Sequence, residues 1–289
     1  MPHPSTSGIA DFQALAWYVD HGVTEALCET PQDRTKIEES PPPLTQSSAP
    51  GMAGMMQRHE AQGAPEPQAS RFLGKSDAYE EAVKLAAQAN TLEELFNAIH
   101  EFDGLAIKKT AYNTVFADGN PKANIMLVGE APGADEDRQG KPFVGVSGQL
   151  LDKILSCIGL DRTEENPEKS VYISNVINWR PPGNRTPNEA ETHVSLPFIE
   201  RHIQLVKPKI LILCGGIAAK SLLGSNNSIS RLRKTWHDYK PQTEALKQGA
   251  ESIPAIATYH PSYLLRTPSQ KKAVWQDMLE IAEKINKFT

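Results

Sequence analysis

Glu130 follows the apolar run 125–128 and sits between Gly129 and Ala131-Pro132-Gly133. Small neighbours let a planar ligand or a sugar come close to the backbone and to the carboxylate. The plain alternative is a turn carrying a solvated acid. Asn175 lies in a second apolar run, 171–177. Its amide offers one acceptor and two donors, enough to read the edge of a ring amide, although a strand Asn is more often a turn or cap residue. His260 closes a further run, 253–259, and Pro261 stops the strand just after the imidazole. A carboxylate, an amide and an imidazole brought together would make an active site.

Other residues would have to hold a ligand around these three. Phe143, in the glycine-flanked segment KPFVG, is either a ring for stacking on a base or a core anchor that pins its loop. The segment WRPPGNRTP, from Trp179 to Pro187, is stiffened by proline and carries Arg180, Asn184 and Arg185. Its guanidinium groups suit phosphate oxygens, and a rigid solvated loop is the simpler reading. After His260, Ser262 can hydrogen-bond a phosphate, Leu264 or Leu265 can wedge into a base stack, and Arg266 adds a cation. Asp135, Glu136 and Asp137 read as a solvated acidic turn or an N-cap.

The elements that must position these groups alternate. The runs 125–128, 171–177, 209–214 and 253–259 predict strands, followed by helices at 147–158, 188–205, 215–223 and 269–287. Right-handed crossovers make such a sheet parallel, so every strand ends at one edge, where open α/β sheets bind ligands. The expected fold class is α/β, a three-layer αβα sandwich with a four-stranded parallel sheet. Two helices precede it, at 78–90 and from the capping box TLEE at Thr91 to about Phe102.

The chain has 289 residues and a formal charge of −5. Residues 1–70 hold nine acids and three bases, which leaves the remainder near neutral. This balance does not announce a nucleic-acid partner, and a local basic face would still permit one. Residues 9–29 have helical apolar spacing, and residues 30–70 are rich in Pro, Gln, Ser and Ala. The expectation is a helical segment over 1–29, able to dock a protein partner or to fold back, a disordered linker over 30–70 and a folded domain over 71–289. The three cysteines, Cys28, Cys157 and Cys214, are far apart and have no metal spacing. Cys157 and Cys214 read as buried small hydrophobes. No signal peptide or membrane-length apolar run is found, which points to the cytoplasm.

Taken together, GEAPGADEDRQGKPFVGVSGQLLD, NVINWRPPGNRTPNEAE and YHPSYLL resemble the family 4 (bacterial type) uracil-DNA glycosylases over about 110–275. The resemblance implies a DNA glycosylase of base-excision repair that acts on uracil in single- or double-stranded DNA. It implies catalytic roles for Glu130 and His260, and a uracil pocket made by Gly129, Ala131, Pro132, Gly133, Glu136, Phe143 and Asn175. Glu136 would help fill the space near uracil C5. DNA contacts would come from Arg180, Asn184, Arg185, Ser262, Leu264 and Arg266. A non-catalytic DNA-binding module on the same fold is the alternative. The family also implies a four-iron, four-sulfur cluster, but its four cysteine positions fall near Phe102, Leu105, Trp179 and Ser195. None supplies a thiolate. The expectation is therefore no cluster and no metal, with apolar packing of Leu105 and Trp179 holding the loop after them. The segment 184–191 has no inserted histidine, and His193 lies beyond it, so turnover is expected rather than covalent trapping on DNA.

Overall fold

A computed structural model describes residues 75–287. The chain divides into two units, Met1–Glu66 and Pro67–Thr289, and every described residue belongs to the second. The expected segments at 1–29 and 30–70, with Cys28, lie outside the described residues.

Five apolar residues with no polar break form β2 (Ile125–Gly129), and a second such run forms β4 (Ile210–Cys214). Every residue of both is buried, as a strand covered on two faces requires. With β3 (Tyr172–Asn175) and β6 (Ile253–Thr258) they make the expected parallel core, in the order β3-β2-β4-β6. The sheet has two more strands than the sequence predicts. β1 (Ala117–Gly119) pairs antiparallel with β3, and β5 (Trp236–Tyr239) pairs antiparallel with β6. Both are short edge strands, and their sequences, ADG and WHDY, contain no apolar run.

Period-two alternation gives the sheet its two cores. Met126, Val128, Leu211, Leu213, Ala255 and Ala257 face one apolar cluster, whereas Ile125, Leu127, Ile173, Ile210, Ile212 and Ile256 face the other. The first face is covered by α1 (Lys75–Gln88), α2 (Leu92–Glu101), α5 (Glu189–Val206) and α6 (Gly216–Leu223). The second is covered by α4 (Val146–Ser156), α9 (Pro261–Arg266) and α10 (Lys271–Ile285). This is the expected αβα sandwich. The remaining helices, α3 (Ala134–Gln139), α7 (Ile229–Leu232) and α8 (Glu244–Lys247), are single short turns in connections. Thr91 caps α2 through a hydrogen bond from the Glu94 N–H, as the capping box predicts.

The connection after β2 leads to β3 on one side, and the connection after β4 leads towards β6 on the other. The switch point between β2 and β4 opens a crevice at the carboxyl edge.

Two expectations about burial fail. Of the two readings of Asp135–Asp137 the solvated turn fails, because Glu136 and Asp137 are buried in α3, whereas a capping role holds, the Glu136 carboxylate accepting from the N-cap Gly133 N–H. Cys157 is exposed at the C-terminal end of α4, while Cys214 is buried at the end of β4. Among the described residues, no helix is long and apolar enough to cross a membrane.

Candidate active site

A cavity of about 730 Å³ opens at the carboxyl edge. Glu130, Asn175 and His260, from the ends of β2, β3 and β6, all line it. So do Ala131, Pro132, Gly133, Glu136 and Phe143. The ladder explains why the first two meet. Gly129 is the direct neighbour of Asn175 across β2 and β3, and the pairing runs on beyond the strands. The Val176 N–H donates to Gly129 O (3.0 Å) and the Ile177 N–H to Glu130 O (3.1 Å). The backbone beneath the carboxylate is thus fixed by the sheet itself.

Gly129 does not line the cavity. Its role is to leave room, since a Cβ there would come within 2.4 Å of Asn175 Oδ1 and 2.6 Å of the Phe143 ring. Asn175 is buried, and its Oδ1 has no hydrogen-bond partner among the described residues. An acceptor left unpaired inside a protein is costly, and a donor on a ligand would satisfy it.

His260 caps α9. The Ser262 N–H donates to His260 Nδ1 (3.2 Å), and Ser262 Oγ lies 2.8 Å from the same nitrogen. A backbone N–H can only donate, so Nδ1 is an acceptor and the proton of the neutral ring sits on Nε2. Burial holds the imidazole pKa down to about 4, with Glu136 opposing and Arg266 adding to the shift. Burial also raises the Glu130 carboxyl above its ordinary value. The site thus presents a neutral Nε2–H donor and a carboxylate held in a poorly solvated place.

Phe143 is a core anchor whose ring also reaches the cavity wall. It is buried, it lines the cavity, and its ring stacks on His260 with centroids 5.2 Å apart. Its backbone has φ 53°, a left-handed conformation unusual for a bulky residue. Two features hold it there. A Cβ on Gly148 would lie 1.9 Å from Phe143 O. The Arg162 guanidinium donates to Pro142 O and Phe143 O (both 2.9 Å) while pairing with Asp118 and Asp152. Sequence reasoning missed Arg162, and no local signal marks it, since its partners lie 10 to 44 positions away.

Glu136 is a tie between loops. It accepts from the N–H groups of Gly133, Val144 and Gly145 at 2.9–3.1 Å, joining the turn after β2 to the segment after Phe143. Asp137 accepts from the N–H groups of Tyr112 and Asn113 and does not line the cavity, so it is not placed to act on a water there.

The expected DNA contacts divide. Asn184, Arg185, Ser262 and Arg266 line the cavity; Arg180 does not, and its Nε donates to Asn184 Oδ1 (2.6 Å). Arg185 forms a bidentate pair with Glu191 (2.6 and 2.8 Å), which also caps α5, so its fork braces the loop. Leu264 is a correction. It is fully buried in the core beneath α9 and cannot enter a duplex, whereas Leu265 is 45% exposed. Tyr259 and Tyr263, on either side of His260 in sequence, also line the cavity, as do Gly215 and Ser230. Gly215, at φ 101°, leaves space for His260, whose Cβ would lie 3.3 Å from an added Cβ.

Phe102, Leu105 and Trp179 are buried in one apolar cluster, with the Phe102 ring edge-on to Phe198. Trp179 Nε1 donates to Thr114 Oγ1 (3.2 Å). Ser195 is buried and its Oγ has no partner among the described residues. These side chains do not fit an iron–sulfur cluster, which needs thiolates. His193 stacks on Tyr79 (4.2 Å) and does not line the cavity.

The uracil DNA glycosylase superfamily model matches residues 116–279, more than half of the chain. The chain belongs to the uracil-DNA glycosylase superfamily. Within that superfamily it is similar to the type-4 uracil-DNA glycosylase of Pyrobaculum aerophilum, 36% identical over 187 residues that cover 65% of this chain and 91% of the relative. The type-4 uracil-DNA glycosylase of Archaeoglobus fulgidus is 32% identical over 67% of this chain and 92% of its own length. That of Thermotoga maritima is 36% identical over 61% and 83%. The superfamily match contains the whole sheet and every cavity residue named above.

Proposed function

We propose that this member of the superfamily hydrolyses the N-glycosidic bond between uracil and deoxyribose in DNA. The observation that carries the reading is the buried, unpaired Oδ1 of Asn175 in one cavity with Glu130 and an imidazole whose Nε2 bears the proton. Uracil offers N3–H to an acceptor and O4 to a donor. Cytosine presents the reverse polarity at those positions and would leave the buried amide unpaired, which a site of this kind rejects strongly.

A base inside a duplex must leave the stack to reach such a cavity, whereas a single strand presents it directly. With the base held against Phe143 and Asn175, the C1′–N1 bond breaks and its electron pair passes to the uracil. His260 Nε2–H donates to O2 as negative charge grows there. The Glu130 carboxylate stabilises the cationic sugar and accepts a proton from the water that attacks C1′. The products are free uracil and an abasic site. A donor aimed at developing charge is worth about 10²–10³ in rate. Leu265, exposed on α9, takes the place assigned from sequence to Leu264, filling the gap left by the base. We also infer that this chain works without an iron–sulfur cluster, the apolar contacts of Phe102, Leu105 and Trp179 bracing the 180–187 loop. Iron and sulfide analysis of purified protein should find neither, and stoichiometric iron would overturn that inference.

Release of uracil from a labelled oligonucleotide tests the main reading. Glu130→Gln and His260→Ala should each lower the single-turnover rate at least ~10²-fold with little change in DNA affinity. An unchanged rate, or a loss confined to affinity, would remove them from the chemistry.

A further inference from the structure

Tyr112 is 86% exposed, the most exposed large apolar side chain among the described residues. Singly exposed aromatic residues are common, and exposure alone says little. Its position in the fold says more. β1 runs antiparallel to β3, with Ala117 opposite Ser174, so the chain enters β1 from the edge where the parallel strands end. Residues 112–116 therefore lie on the same edge as the cavity.

The backbone of this segment is pinned on both sides. Asp137 Oδ1 accepts from the N–H groups of Tyr112 (2.8 Å) and Asn113 (3.0 Å), and Asn113 Nδ2 donates to Asp137 O (2.6 Å). The Asp137 N–H in turn donates to Gly133 O (3.0 Å), and Gly133 lines the cavity. On the other side Val115 and Asn178 exchange hydrogen bonds at 2.8 and 3.0 Å, and Thr114 accepts from Trp179. Pro181, two residues further on, also lines the cavity. Tyr112 is thus a ring in water on a rigid support, between the two loops that border the cavity.

We propose that Tyr112 is a stacking platform for an unpaired DNA base next to the extruded one. This rests on the reading of the cavity as a uracil site. A strand delivering one base to the cavity continues past its rim on both sides. Extruding that base, or starting from a single strand, uncovers a face of its neighbour. A phenol ring stacks on any base, and its loss costs about 1–3 kcal/mol per base, roughly 5- to 150-fold in affinity.

The test uses the full chain, its Tyr112→Ala and Tyr112→Phe variants, and single-stranded oligonucleotides with one uracil. Tyr112→Ala should raise the protein concentration for half-maximal single-turnover cleavage about tenfold, with a much smaller effect on the rate at saturation. Tyr112→Phe should behave as the parent, because stacking needs the ring and not the hydroxyl. A 2-aminopurine placed 5′ or 3′ of the uracil should change emission on binding on one of the two sides, and lose that change in Tyr112→Ala. Equal half-saturation for parent and Tyr112→Ala overturns the proposal, as does an equal loss in Tyr112→Phe or an emission signal independent of residue 112. Failure of the parent to release uracil would instead defeat the reading of the cavity, independently of these ratios.

Discussion

Burial acts on Glu130 and His260 in the same sense, favouring the uncharged form of each. For His260 this is useful, because the neutral ring is the donor. For Glu130 it opposes the carboxylate that the reaction uses. Activity should therefore fall on acidification with a midpoint above the ordinary carboxylate value of 4.5, read from a pH series of single-turnover rates. Because the folded pKa is raised, the contribution of Glu130 to stability is full below 4.5 and lost as pH rises through the folded value. Near neutrality the protein thus carries a charge its fold resists. Glu130→Gln should raise the melting temperature at pH 7, by ~2–4 °C per kcal/mol recovered, while slowing uracil release at least ~10²-fold. Glu130, Asn175 and His260 are legible in the sequence because each stands at or near the end of an apolar run. Arg162 is not, since nothing beside it in the chain tells that its fork reaches the carbonyls of residues 142 and 143.

Elements, too, differ in how plainly they are written. The buried parallel strands announce themselves by unbroken apolar runs, and the longer helices by period and caps. β1 and β5 do not, because an antiparallel edge strand can be short and polar when one neighbour completes its hydrogen bonds. The one-residue error at Leu264 has the same origin. Read as a loop, YLL offers two equivalent leucines. Wound into α9, successive residues diverge by about 100°, so one faces the core and the other solvent. Leu264→Ala should accordingly cost about 2–5 kcal/mol in denaturant unfolding. Leu265→Ala should leave stability unchanged and slow uracil release from duplex more than from single strands. For the loop that carries Phe143, which Arg162 braces from beyond α4, Arg162→Lys should be nearly as damaging as Arg162→Ala, because an ammonium cannot span two carbonyls and two carboxylates. A loss on the order of 10²-fold in rate, with Phe143 intact in sequence, is the expected outcome of that misplacement.

At the scale of the whole molecule, two buried imidazoles, His202 and His260, contribute to the response to acid. His202 lies between Tyr172 and Ser174 under β3, and burial holds its pKa down to about 3. A depressed pKa contributes stability that is full above the ordinary value of 6.5 and is lost as pH falls towards 3. His202→Gln should flatten the fall of melting temperature across that window relative to the parent. On the opposite face, Arg233 pairs with Asp277 in a bidentate contact, and Thr258 donates to the same carboxylate. The pair joins α10 to the turn after α7, and the Thr258 hydroxyl joins the same carboxylate to the end of β6, two residues before His260. The sheet linking these regions also measures out the site. Hydrogen bonds from Val176 and Ile177 to the carbonyls of Gly129 and Glu130 are rungs of the same ladder that holds the strands together. A catalyst hung from such rungs has no hinge of its own. It cannot loosen without tearing the central β2–β3 seam, so the amides of Val176 and Ile177 should exchange with solvent deuterium as slowly as the most protected core amides.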